Sequence, residues 1–182
     1  MIEPPGDSGA LQERPAQTEE RGGTPAGRAP PTAKARAIAL LARRDHSASE
    51  LVRKLIERGF DAAESAAVVQ DLAARDYQSD VRYADMLSRT RIADGWGPQR
   101  IDADLRVAGV ASTLAFAAKV GALEYHATRW IDVACEALRR RGVRLGSLAA
   151  QRKAFSLLQR RGFESETIRA ALRCHEALLR DE

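Results

Sequence analysis

Proline is nearly missing from most of this chain. Six of the seven prolines lie in the first 32 residues and only Pro98 falls later, so little in the remainder forbids helix. Cysteine is just as scarce: Cys135 and Cys174 are too few and too far apart for a disulfide framework or a metal knuckle. Neither they nor His46, His126 and His175 show the spacing of metal ligands. No run approaches the roughly 18 apolar residues of a membrane span, and no stretch alternates as a half-buried strand would. A P-loop and a G-x-G-x-x-G turn are both missing. Ser47 and Ser49 beside His46 read as helix caps, with no carboxylate placed to complete a triad. Tyr77, Tyr83 and Tyr125 fall on different segments and build no stacking platform for bases. These absences exclude nucleotide-binding folds and the usual catalytic constellations. They lead to the expectation of a non-enzymatic protein without cofactor, in a reducing, cytoplasmic setting.

What is present divides in two. Residues 1–32 hold five of the thirteen glycines besides the prolines, and only Ile2 and Leu11 as large aliphatics. Such a segment cannot offset the entropy of ordering itself, and we read it as a disordered tail. It has no apolar core of a secretory signal, and its acids (Glu3, Asp7, Glu13, Glu19, Glu20) argue against a mitochondrial presequence. Beyond it lie 26 of the 29 basic and 20 of the 25 acidic residues, a net of +6. That excess permits nucleic-acid contact. Arginine outnumbers lysine 25 to 4, which suits bidentate contacts, although a GC-rich genome gives the same bias.

From residue 33 the apolar period is helical throughout. Ser47-Ala48-Ser49-Glu50 has the capping-box pattern, and Leu51, Leu55 and Ile56 follow on one face. Three segments end alike: 55-LIERGF-60, 105-LRVAGV-110 and 158-LQRRGF-163. Each places Gly where a left-handed residue closes a helix, then Phe or Val as the hydrophobic contact beyond the cap. Each is followed by an amphipathic segment (62–74, 111–120, 165–179) and preceded by a longer one (33–44, 80–94, 123–141). In the last of these, Trp130, Val133, Ala134, Ala137 and Leu138 form one stripe. The expected fold is all-α: three tandem three-helix repeats, at 33–77, 78–122 and 123–182, forming an elongated, curved array in which each unit touches mainly its neighbours.

Within the middle repeat, Asp94-Gly95-Trp96-Gly97-Pro98 separates two helices. Gly95 suits the cap of one and Pro98 the first turn of the next, with Gly97 between them and Trp96 placed to staple the pair. The order of several motifs then resembles the RecX family of RecA regulators: Asp80, Arg82-Tyr83-Ala84; Ser88-Arg89; Gly95-Trp96-Gly97-Pro98, Arg100-Ile101; and Leu105, Gly109-Val110. Leu40 to Ser47, Glu50-Leu51, Lys54-Leu55 and Arg58-Gly59-Phe60 add the family's opening, and Phe155, Leu158, Arg161-Gly162-Phe163 and Ile168 match more loosely. The resemblance covers about residues 33–175. One departure is Ala108, where Arg58 and Arg161 stand in the other repeats.

The resemblance implies a monomeric helical-repeat protein that lies along the RecA–single-stranded DNA filament, suppresses ATP hydrolysis and strand exchange, and promotes disassembly. Its partners would be filamentous RecA and single-stranded DNA, with no membrane. A helical DNA-binding module acting without RecA is the alternative, and a scaffold joining other proteins is the blander one. Candidate contact residues are Arg82, Arg89 and Arg100 as one basic surface. Arg91 lies about half a turn away from Arg82. Arg139, Arg140 and Arg144 form a second group, which a helix C-terminus also explains.

Overall fold

The computed structural model describes residues 31–180, and the tail expected over residues 1–32 lies outside them except for Pro31 and Thr32. Nine helices and no strand occur among the described residues. They are α1 (Ala33–Leu41), α2 (Ala48–Ile56), α3 (Ala62–Ala74), α4 (Asp80–Ala93), α5 (Pro98–Val107), α6 (Ser112–Tyr125), α7 (Trp130–Arg139), α8 (Leu148–Arg160) and α9 (Ser165–Arg180). The principal packings fall inside consecutive triplets, with α3 on α1 and α2, α6 on α4 and α5, and α9 on α7 and α8.

The repeated Leu-x-x-x-Gly ending is one piece of backbone chemistry used three times. Gly59, Gly109 and Gly162 have φ of 89°, 75° and 84°. Beyond each, the amide of Phe60, Val110 or Phe163 donates back to the carbonyl of Leu55, Leu105 or Leu158, at 3.3, 3.0 and 3.2 Å. This is the bond that closes a helix through a left-handed residue. All three leucines are fully buried, so the polar closure and the apolar anchor come from the same residue.

One expected helix is interrupted. The segment 123–141 is not continuous: α6 runs on to Tyr125, Ala127 takes a positive φ of 46°, and α7 starts at Trp130. The break carries no proline or glycine, so nothing in its composition announces it. Half of a capping box restarts the chain, with the Asp132 carboxylate accepting from the Arg129 amide at 3.1 Å and from its guanidinium at 3.0 Å. The seam between second and third triplets thus falls at 126–129, beyond the sequence-based boundary at 122/123.

Ser47 caps α2 as its pattern predicts, accepting from the Glu50 amide at 3.0 Å. The return half of the box does not form. Glu50 turns instead to Arg44 at 2.7 Å and His46 Nδ1 at 3.1 Å. Burial raises the Glu50 carboxyl, but hydrogen bonds and charge from His46 and Arg44 outweigh it and hold it below the ordinary carboxylate range.

The core is in two parts. Ala37, Leu51, Leu55, Val69 and Leu72 form a cluster confined to the first triplet. A second, larger cluster runs without break from Tyr83 and Ala84 through Leu138 to Ala171, so the second and third triplets share one interior. Between first and second the joint is polar. The Ser47 hydroxyl donates to the buried Ala108 carbonyl at 2.6 Å, the Ala48 amide to Asp80 at 2.8 Å, and buried Gln78 to Asp80 at 2.9 Å and to the His46 carbonyl at 3.2 Å.

Two tests follow from this frame. A Cβ at Gly59 meets open space, whereas one at Gly162 would fall against the backbone of Arg100. Gly59→Ala should cost about 1–2 kcal/mol from its left-handed conformation alone; Gly162→Ala should cost at least twice as much, read by urea denaturation. Equal costs would contradict the role of Gly162 in joining repeats. Because the Glu50 carboxyl is lowered by folding, its contribution is full above the ordinary carboxyl range and lost as pH falls through its folded value. Glu50→Gln should therefore flatten the acid side of the stability–pH curve, and an unchanged slope would refute this.

Candidate interface around the Gly-Trp-Gly-Pro turn

Helix α4 ends at Ala93, and Gly95, with φ 76°, turns the chain. The Trp96 amide returns to the Arg91 carbonyl at 2.9 Å. Gly97 is the N-cap of α5 and Pro98 its first residue, where a missing N–H costs nothing. So far the turn is as its residues predict. Its partner is not: the turn is docked edge to edge against the Arg161-Gly162-Phe163 turn of the third triplet. The Gly97 amide donates to the Arg161 carbonyl at 2.8 Å and the Gln99 amide to the Gly162 carbonyl at 3.0 Å. Gly97 lies so close to the Gly162 carbonyl that no side chain fits between them.

The return contact is electrostatic. Arg161 donates one guanidinium nitrogen to the carbonyls of Asp94, at 2.9 Å, and Gly95, at 2.8 Å. Arg140 donates to the Ala93 carbonyl at 2.6 Å. Three carbonyls at the negative end of α4 thus receive two cations from another triplet, which is what the helix dipole favours there. Burial, and then the like charges of Arg141 and Arg140, push Arg161 below the ordinary guanidinium value, with Asp94 opposing.

Half-buried Trp96 is ringed by cations. The guanidinium carbons of Arg161, Arg100 and Arg91 lie 5.2, 5.4 and 5.9 Å from its ring centroid. Each is within the range of a cation–π contact. Asp104 pairs with Arg91 at 2.8 Å and with Arg100 at 3.1 Å, so two of the three cations share one carboxylate. Beside them a groove of about 490 Å³ separates α2 from α4 and α5, lined by Glu50, Arg53, Tyr83, Arg91, Arg100 and Asp104 among others. A surface of this kind suits an anionic chain, with guanidinium forks for phosphate or carboxylate.

Of the sequence candidates, Arg91 and Arg100 are brought together here, although Arg91 was set apart from Arg82 by its helical phase. Arg82 and Arg89 do not join them. Arg82 holds the left-handed Asp76 turn, bonding its carboxylate at 2.8 Å and the carbonyls of Asp76 and Tyr77 at 2.8 and 3.1 Å, with Asp45 at 3.6 Å. Arg89 pairs with Asp85 at 2.9 Å and covers Tyr125 at 4.0 Å. Arg139 and Arg140 both grip Glu136, at 2.6 and 2.8 Å, and Arg139 first draws its carboxyl down to about 2. Exposed Arg144 lies apart, beside a cleft with Glu176 and Arg180. Arg161 was not among the candidates. The signal for it was the basic residue recurring before the glycine at 58 and 161.

Residues 33–72 match the family model of the first three-helix domain of RecX, and residues 79–118 that of the second. A protein named Regulatory protein RecX from Xanthomonas campestris pv. campestris (strain B100) is 41% identical over 140 residues, covering 76% of this chain and 84% of its own. Its namesake from Stenotrophomonas maltophilia (strain K279a) is 39% identical, over 76% and 83%. The crystal structure of RecX from Lactobacillus salivarius superposes with a TM-score of 0.65 at 19% identity, covering 80% of this chain and 95% of that one. A second, described as the crystal structure of regulatory protein RecX, gives 0.66 at 22%, over 78% and 71%.

The turn-to-turn joint can be tested at Arg161. Arg161→Met keeps the stem but strands two carbonyls, and should cost about 2 kcal/mol. Arg161→Lys keeps a cationic donor but loses the planar guanidinium over the Trp96 ring, and should fall between. Denaturation midpoints within experimental error of the native chain would dismiss the joint as a contributor.

Proposed function

The chain belongs to the RecX family, and from this membership we propose that it is a negative regulator of RecA. It binds along the RecA–single-stranded DNA filament and lowers its ATPase, strand exchange and growth, by occupancy and without turnover chemistry of its own. The observation that carries this reading is the match to RecX regulatory proteins over three-quarters of the chain. The Trp96 cluster supports it physically: guanidiniums beside an indole, on a rigid two-turn joint, offer a filament both charge and apolar contact. No three His, Cys, Asp or Glu side chains gather as metal ligands among the described residues. No helix among them is long and apolar enough to cross a membrane.

Arg100 is the residue chosen for filament contact. It is half exposed and its one carboxylate, Asp104, is shared with Arg91. Arg82 and Arg89 hold turns and helices, so their charge reversal is expected to disturb folding before it disturbs binding. Arg139, Arg140 and Arg144 remain a second contact surface in this proposal.

Substoichiometric amounts of the protein should reduce the single-stranded-DNA-dependent ATPase of the cognate RecA. Arg100→Glu should weaken that inhibition about tenfold, equivalent to about 1.4 kcal/mol, with helical content unchanged. An ATPase unaffected at saturating protein would overturn the reading. Tight, steeply salt-dependent binding to naked DNA without any effect on RecA would favour the DNA-only alternative.

A further inference from the structure

The two joints use the same face of the repeat. In the second triplet, Tyr83 and Ala108 face α2 of the first across the groove, and Ala108 is bonded to Ser47. In the third, Arg140 and Arg161 meet the end of α4. Aligning the buried alanines at 37, 84 and 134 and the glycines at 59, 109 and 162 identifies the corresponding residues of the first triplet. Tyr83 and Val133 correspond to Arg36, Thr90 and Arg140 to Arg43, and Ala108 and Arg161 to Arg58. No repeat precedes the first among the described residues, and the three residues of this face are exposed there. It has become three exposed arginines around a dent of about 70 Å³, floored by Ala39 and Leu40.

An end repeat needs a polar outer face, but solubility is served by charges of either sign. Here all three are cations. Most other arginines of the first two triplets are spent on carboxylates, whereas Arg36, Arg43 and Arg58 have no carboxylate partner among the described residues. Arg58 donates only to the Lys54 carbonyl, at 2.6 Å. Helix stability does not explain Arg36 either. It stands in the first turn of α1, where the helix dipole disfavours a cation and where no acid offsets it.

We propose that Arg36, Arg43 and Arg58 form a binding site for the sugar–phosphate backbone of a single DNA strand, with Ala39 and Leu40 beneath the sugar and the guanidiniums on phosphate oxygens. The site deepens the proposed function, since it would hold DNA of the filament, and it rests on that reading only for its biological setting. Strand binding itself is measured without RecA.

The test uses the full chain and a labelled oligothymidylate, with fluorescence anisotropy across a salt series. Single strands lose about 0.7 in the slope of log K against log salt per phosphate contact removed. R36Q/R43Q/R58Q should therefore lower the slope by about 2 and bind about tenfold more weakly at low salt. R36K/R43K/R58K should keep the slope. R152Q/R160Q/R169Q removes the same charge from exposed positions of the third triplet and should change the slope by less than half as much. Affinity and slope unchanged in the first variant, with circular dichroism unaltered, would overturn the proposal. So would equal losses in the third-triplet control, which would reduce the effect to net charge. Inorganic phosphate is the remaining arm. Phosphate bound as tightly as the oligonucleotide, with no slope loss, would mean a site for the isolated anion and not for a strand. A RecA ATPase that ignores the native protein while these slopes behave as stated would sink the regulatory reading and leave this site standing.

Discussion

Everything in this protein depends on how the turn after each middle helix is closed. A left-handed glycine lets the chain reverse within two residues, and the leucine four residues before it is both hydrogen-bonded to the turn and sunk in the core. Because glycine has no side chain, the outer edge of the turn is bare backbone. That edge then serves as the docking surface for the neighbouring repeat: Gly109 against Ser49, and Gly162 against Arg100. One constraint thus sets the secondary structure, the core and the joints.

The two joints solve the same geometry with different chemistry. Between the first and second triplets the contact runs through Ser47, Gln78 and Asp80, with no shared apolar cluster. Between second and third, backbone bonds are reinforced by Arg161 and Arg140 and by a continuous core. Apolar burial is non-directional, whereas a buried hydrogen-bonded joint stands or falls with its geometry. The first triplet is therefore the one whose attachment depends on a few named polar atoms. Ala108, the departure from the repeat, belongs to that joint. An arginine there would put a long charged side chain into the seam where the Ser47 hydroxyl reaches the backbone carbonyl of residue 108.

Much of this was legible in the sequence. The three Leu-x-x-x-Gly endings, the cap at Ser47 and the limits of α3 at Ala62–Ala74 follow from local residues, and local residues decide them. The break at 126–129 was not legible. Ala127 enters the left-handed region without glycine, and the chain restarts on a non-standard cap, Arg129 with Asp132. The functional residues divide in the same way. Helical phase groups Arg82 with Arg89, yet each side chain goes to the acceptors that folding brings near it. Arg91 and Arg100, on different helices, meet only because the Gly-Trp-Gly-Pro turn folds α5 back toward Asp104 and the indole.

The sequence by itself determined the all-helical class, the repeat, its turns and the family, because helix period and glycine stereochemistry act over a few residues. Only the tertiary structure decided which arginines remain free to act. A guanidinium looks the same in any sequence, and whether it faces a carboxylate, a helix end, an indole or open solvent is settled by long-range packing. That packing makes Arg161 a clamp and Arg82 a brace. It leaves Arg36, Arg43 and Arg58 facing outward where a preceding repeat would have stood.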